Sequence, residues 1–260
     1  MPDDSPVEID KDGYVLILRL NRPESMNAIN SRVIDDLTRA VKQARRDNSV
    51  RCLVLTGAPR ADGRPCFSAG DDLKEAATGQ LPPGNPGNRL CNLIDDLLKP
   101  SIAVIDGICT TGAIELALSC DLRVVAESAQ ISDWHLSRLG SGLGGWGAST
   151  RLSRLVGVAQ AKDIILTGKV MDGREAHRVF FAQRVVPSEQ LWEEAMTMAR
   201  AITDMSPDGV RMTMNHLSRV EDLSKEESLS FARQIQDWFG SGSDSFPDAA
   251  REVLARKRSG

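Results

Sequence analysis

Short apolar runs stopped by glycine or proline alternate, along the first half of the chain, with segments whose apolar residues recur at helical spacing. No other feature restricts the fold as much. Residues 14–20, Tyr-Val-Leu-Ile-Leu-Arg-Leu, end at Asn21-Arg22-Pro23 and predict a strand closing into a turn. Asn30 or Ser31 can cap a following helix on which Val33, Ile34, Leu37, Val41 and Ala44 share one face. Residues 51–57 form an apolar run ended by Gly57, the pattern of a buried strand. Beyond them, the sequence predicts a helix at 89–98, a strand at 102–105 and a short buried helix at 111–119. The alternation points to an α/β architecture of ββα or βα units.

Past residue 147 strand signals largely vanish and helical periodicity takes over. Asp172 with Glu175 and Ser224 with Glu227 have capping-box spacing, each opening a helix. Residues 78–88, rich in glycine and proline with little to bury, read as a mobile surface loop, and residues 240–247 as a flexible stretch before a basic end at 251–258. Those basic charges suit a solvated helix face. One main domain is expected, with residues 1–195 as its core and 196–260 as a helical region of the same functional domain.

Composition narrows the function classes. The chain has 260 residues, 41% of them hydrophobic, with no apolar run long enough to span a bilayer, so a soluble protein is expected. A formal charge of -4 gives no basic footprint for nucleic acid. Cys52, Cys66, Cys91, Cys109 and Cys120 lack a CxxC pair and sit mostly in apolar surroundings, which suits buried reduced thiols better than disulfides or zinc, and no other ligand cluster suggests a metal. The first residues carry no secretory signature, so the cytoplasm is expected.

Two segments have the residues for chemistry. Phe67-Ser68-Ala69-Gly70-Asp71-Asp72-Leu73-Lys74 and the run from Asp106-Gly107 through Gly112 to Asp121 each follow a predicted strand and open a helix. Their small residues let a ligand approach the backbone, and two converging helix N-termini offer free N–H groups to an anion. On a helix Gly112 and Glu115 share a face, which places a carboxylate one turn from such a donor.

Asn21-Arg22-Pro23-Glu24 with Asn27-Ala28, Ser68-Ala69-Gly70-Asp71-Asp72-Leu73, and Gly112-Ala113-Ile114-Glu115-Leu116-Ala117 with Cys120-Asp121-Leu122-Arg123 resemble, in order, the signatures of the crotonase (enoyl-CoA hydratase/isomerase) superfamily. Similarity continues through Arg151–Gly157, Leu166-Thr167-Gly168 and Val185-Val186-Pro187, so it spans residues 7–218. The resemblance implies an α/β spiral of ββα repeats with a helical C-terminal trimerisation region, assembled as a homotrimer or a dimer of trimers. It implies an acyl-CoA substrate, coenzyme A being part of that substrate and not a cofactor. An oxyanion hole would use the backbone N–H groups of Asp71 and Gly112 to hold the thioester enolate oxygen. Glu115 matches a catalytic carboxylate, and Ala28, Ala69, Asp72 and Leu73 fall at coenzyme A contacts. Enoyl-CoA hydration is the leading expectation. Double-bond isomerisation, carbon–carbon hydrolysis, or coenzyme A binding without catalysis remain open.

Three departures matter. Asp71 stands where the family usually has a small neutral residue, so its side chain is expected to turn away or to pair with Lys74 or Arg22. The family's second glutamate is absent from Ile131-Ser132-Asp133-Trp134-His135, where His135 is the nearest titratable match and Asp133 lies two residues before it. His135 is a candidate acid or base or a satisfied core histidine; His177 and His216 read as structural. Gly142-Leu143-Gly144-Gly145-Trp146-Gly147 fits GxGxxG but follows a polar stretch, not a strand, so it is no dinucleotide fingerprint. It resembles instead the turn beside the acyl pocket, in particular that of the naphthoate-synthase branch, whose aspartate is Leu143 here. Trp134 and Trp146 either line the acyl pocket or belong to the core.

Overall fold

The computed structural model describes residues 5–79, 82–238, 250–251 and 254. The expected flexible stretch at 240–247 lies outside them, as does most of the basic end. Six strands form one sheet in the order β1 (Val7–Asp12), β2 (Val15–Leu20), β3 (Cys52–Gly57), β5 (Ser101–Ile105), β7 (Leu122–Ala126) and β9 (Arg184–Val186). Only the β1–β2 hairpin is antiparallel; every later pairing is parallel. A second, three-stranded parallel sheet holds β4 (Cys66–Ser68), β6 (Ile108–Thr110) and β8 (Gln130–Ser132).

The chain repeats one step. A strand of the large sheet leads to a strand of the small sheet and then to a helix: β3, β4 and α2 (Leu73–Ala76); β5, β6 and α4 (Gly112–Leu118); β7, β8 and α5 (Ala148–Val156). The architecture is the ββα spiral expected. Strand β2 shows why its apolar run is continuous. Leu16, Leu18 and Leu20 enter one core, with Val33, Leu37 and Val41 of α1 (Ser31–Arg46), whereas Val15 and Ile17 enter the other, with Leu191, Ala195 and Ala199 of α8 (Ser188–Thr203). Side chains alternate across a strand, so a sheet covered on both faces needs apolar residues at every position.

Asn30 caps α1 by accepting from Val33 N–H, as its sequence suggests. Helix α3 (Pro86–Asp95) starts within the expected loop, because Asn85 caps it and Pro86 takes the first helical position, where no N–H is needed. Strands β1, β4, β6, β8 and β9 were not separately legible; four of them, β4, β6, β8 and β9, are only three residues long. Helices α6 (Val158–Thr167) and α7 (Gly173–Arg178) continue the chain. Asp172 caps α7, but Glu175 turns to Lys169 and Arg178 instead of closing the box.

The chain divides into two compact units, the first ending at Asp204, so the expected division at 195/196 falls inside α8. The second begins at Met205 and contains α9 (Pro207–Leu217) and α10 (Lys225–Trp238). There Ser224 and Glu227 complete a reciprocal capping box at 2.9 and 3.3 Å. Among the described residues no helix is long and apolar enough to cross a membrane.

Arg123 fastens α4 to the sheet. It is 2% exposed and donates to the carbonyls of Phe181, Ala117 and Cys120 at 2.6, 3.2 and 2.7 Å. Burial lowers its pKa, yet these acceptors keep the cation in place. Arg123→Met leaves buried carbonyls without donors, and urea unfolding is expected to show a loss of about 3 kcal/mol.

Candidate active site

Two loops leave the small sheet side by side. Gly70 ends the first with φ +90, and a Cβ there would overlap the Thr111 hydroxyl of the second loop, so only glycine permits this approach. Thr111 adopts φ 50, ψ -122, a sparsely populated conformation fixed by contacts of its hydroxyl with Thr110 O at 2.8 Å and Ala69 O at 3.3 Å. Its ψ sets the plane of the peptide that carries Gly112 N–H. Ile29 bridges the first loop by donating to Gly70 O and accepting from Asp72 N–H, which leaves Asp71 N–H out of the ladder. Among the described residues neither Asp71 N–H nor Gly112 N–H has a protein acceptor.

Glu115, one turn along α4, is buried at 1% exposure. Its Oε1 accepts from Trp146 N–H at 2.7 Å and Ala148 N–H at 3.0 Å. Gly144 packs directly over this oxygen, where a Cβ would collide with it. The other oxygen, Oε2, has no hydrogen-bond donor among the described residues and lies 3.3 Å from His135 Nε2. His135 Nδ1 is 2.7 Å from Asp133 Oδ1, which also accepts His135 N–H at 3.0 Å. An imidazole is thus clamped between two buried carboxylates. Burial alone would lower the His135 pKa, but hydrogen bonding to Asp133 and the charge of Glu115 raise it to about 10. The two carboxylates thus favour the imidazolium at neutral pH.

The Asp71 side chain overturns the expected pairing. Arg22 is ion-paired with Asp72 at 2.8 Å, and no described cation reaches Asp71. The carboxyl lies inside the site instead: Oδ1 is 2.8 Å from the position of a Cβ built on Gly112. Burial raises its pKa to about 6, helped by the negative charge of Glu115 and opposed by His135. Asp72, paired with Arg22, spends its other oxygen capping α2.

Trp146 and Trp134 separate. The Trp146 ring fills the space beside Gly112, where a Cβ would be 2.9 Å from it, and packs on Gly87 of α3. Arg138 lies over Trp134, its guanidinium carbon 3.3 Å from the centroid of the indole ring. The run from Gly142 to Gly147 is the turn that delivers Trp146 and the peptide N–H groups to Glu115, a role that small residues and one indole hint at but do not specify. His177 bonds to Ala182 O, and His216, in the second unit, to Ser228. The five cysteines are free and buried.

Ala28 and Ala69 are joined to the same loops. Ala28 O accepts from Arg22, and Ala69 O from Thr110. Leu73 is exposed at the start of α2. Next to Arg22 a cavity of about 610 Å³ is lined by Arg32 and Lys74 as well. Among the described residues no group of three or more His, Cys, Asp or Glu is placed to hold a metal ion.

A buried carboxylate beside an imidazolium, next to two unpaired amides on a ββα spiral, defines an acid–base site suited to a carbonyl that becomes an oxyanion. Comparison with known proteins identifies the family. The model of the enoyl-CoA hydratase/isomerase family matches residues 10–247. The chain is 34% identical over 229 residues to the probable enoyl-CoA hydratase echA8 of Mycobacterium tuberculosis, covering 87% of this chain and 86% of that one. It is 30% identical to the short-chain-enoyl-CoA hydratase of Clostridium acetobutylicum, covering 86% and 85%. The crystal structure of enoyl-CoA hydratase from Bacillus anthracis superposes with a TM-score of 0.85 at 28% identity, over 98% and 96% of the chains. That of a monofunctional enoyl-CoA isomerase from M. smegmatis gives 0.73 at 30%, over 86% and 97%. The chain belongs to the enoyl-CoA hydratase/isomerase family.

Proposed function

We propose that this protein hydrates 2-enoyl-CoA thioesters reversibly to 3-hydroxyacyl-CoA. The observation that carries this reading is the 3.3 Å pair of Glu115 and His135 beside the free amides of Asp71 and Gly112. Those amides hold the thioester oxygen and stabilise it as it becomes an enolate. Glu115, anchored through Oε1, takes a proton from water at Oε2 while hydroxide adds to Cβ. His135, charged at neutral pH, gives its proton to Cα. The proton on Glu115 then passes to His135, which restores both groups. Asp133 positions the ring and keeps it charged. One carboxylate and one imidazolium thus divide the work that two glutamates share elsewhere in the family.

Coenzyme A is part of the substrate. Its pantetheine and adenine contact Ala28, Ala69, Asp72 and Leu73, and the Arg22, Arg32 and Lys74 side chains supply positive charge for its phosphates. The assembly is a trimer or a dimer of trimers, and the compartment is the cytoplasm. Isomerisation is the second reading, favoured by the likeness to the M. smegmatis isomerase and by the missing second glutamate. Turnover of 2-enoyl-, 3-enoyl- and β-ketoacyl-CoAs in heavy-oxygen water separates the readings. Label at Cβ supports hydration, a moved double bond without label means isomerisation, and a labelled acid means hydrolysis.

The protonated histidine sets a pH limit. The hydration rate kcat/KM is expected to fall as pH rises through about 10, where His135 loses its proton. Stability follows the same sign. Because folding raises this pKa from 6.5, the stabilisation is complete below that value and is lost toward about 10. A Tm series from pH 6 to pH 10, with His135→Gln as the control that flattens it, checks this.

A further inference from the structure

Asp71 is the one carboxyl in the site to which the hydration scheme gives no side-chain role. Its Oδ1 stands 2.8 Å from the vacant Cβ position of Gly112, next to the ring of Trp146, and among the described residues it has neither a hydrogen-bond donor nor an ion-pair partner. The titratable groups that influence it are Glu115 and His135, and they act on it by charge without bonding to it. A hydrocarbon acyl chain laid against such a group strips its water and offers nothing in return. An acyl chain carrying an oxygen satisfies it.

We propose that the Asp71 side chain determines specificity, selecting acyl thioesters that bear a hydroxyl or carbonyl oxygen on the acyl chain over plain hydrocarbon enoyl thioesters. This deepens the hydratase reading and rests on it. A neutral carboxyl donates to a carbonyl or hydroxyl oxygen, and an ionised one accepts from a hydroxyl; with a pKa near neutrality, at about 6, both forms are accessible. A pocket with a buried polar group rejects a substrate lacking the partner far more strongly than an apolar pocket rejects an extra methylene. The Trp146 ring supplies an apolar surface beside the same Gly112 position, so an acyl chain there meets this carboxyl against an aromatic wall.

The test measures kcat/KM for chain-matched 2-enoyl-CoAs with and without a hydroxyl or keto group at C4, C5 or C6. Wild type is expected to prefer at least one oxygenated member by about tenfold or more, and Asp71→Ala and the near-isosteric Asp71→Asn to change that ratio by at least about tenfold. Both variants keep the backbone N–H, so a loss confined to the ratio is a side-chain effect. Wild-type ratios near one, or ratios unmoved in both variants, overturn the proposal. Glu115→Gln run on the same panel keeps the two readings apart. If it abolishes turnover of every member while the Asp71 variants leave the ratios alone, selection fails and hydration stands; if it leaves turnover intact, the hydratase reading itself fails.

Discussion

Replacing Glu115 by Gln is expected to lower kcat about a thousandfold while acyl-CoA affinity changes by less than about threefold. The amide keeps the size of the carboxyl, and its oxygen still accepts from Trp146 and Ala148 N–H, so α4 and the glycine-rich turn hold their places. Its NH2 group, however, replaces the Oε2 that faces His135, and an amide nitrogen cannot take a proton from water. The same change removes a negative charge 3.3 Å from the imidazole. His135 loses one of the influences that raise its pKa, so the alkaline limit of any residual activity moves downward. Isothermal titration with a saturated acyl-CoA, set against steady-state hydration, measures both halves. Equal losses in affinity and turnover would reduce Glu115 to a packing residue.

His135→Ala is expected to cost about a hundredfold or more in kcat, because Cα must then be protonated by solvent. The cavity left by the ring allows a direct check. Added imidazole should restore part of the activity, and the restored rate should track the protonated fraction of the added imidazole. A structural histidine would show a lower Tm and no such rescue. Asp133→Asn gives a smaller and different effect. The ring keeps a neighbour, but its pKa drops, so the expected result is a shifted pH profile with kcat reduced roughly tenfold at neutral pH and less in acid.

Most of the frame was legible from residue order. The buried strands β2, β3 and β5 announce themselves by unbroken apolar runs, and Asn30, Asp172 and Ser224 mark helix starts by their side-chain oxygens. The small sheet was less visible because strands of three residues carry too few positions for a period to show. Within the site, Gly112 and Glu115 were legible because their spacing fixes a common helix face. His135 was found as a substitute for an absent glutamate, and the structure does bring it to Glu115. Asp71 was misread. Local sequence offered Arg22 and Lys74 as partners, whereas the fold gives Arg22 to Asp72 and turns Asp71 inward. Which of two adjacent aspartates meets a cation depends on the strand-like bridge to Ile29, and nothing local encodes it. The backbone donors of Trp146 and Ala148 were invisible for a related reason: any residue supplies an N–H.

The residue that delivers one of those donors is also the aromatic wall of the chamber. Trp146 gives its indole to the space beside Gly112 and its own amide to the oxygen of Glu115. Pocket shape and base orientation are therefore mechanically one variable. A substrate bulky enough to push the indole aside would tug on the very atom that must abstract the proton, so fit is reported to the chemistry through a single residue.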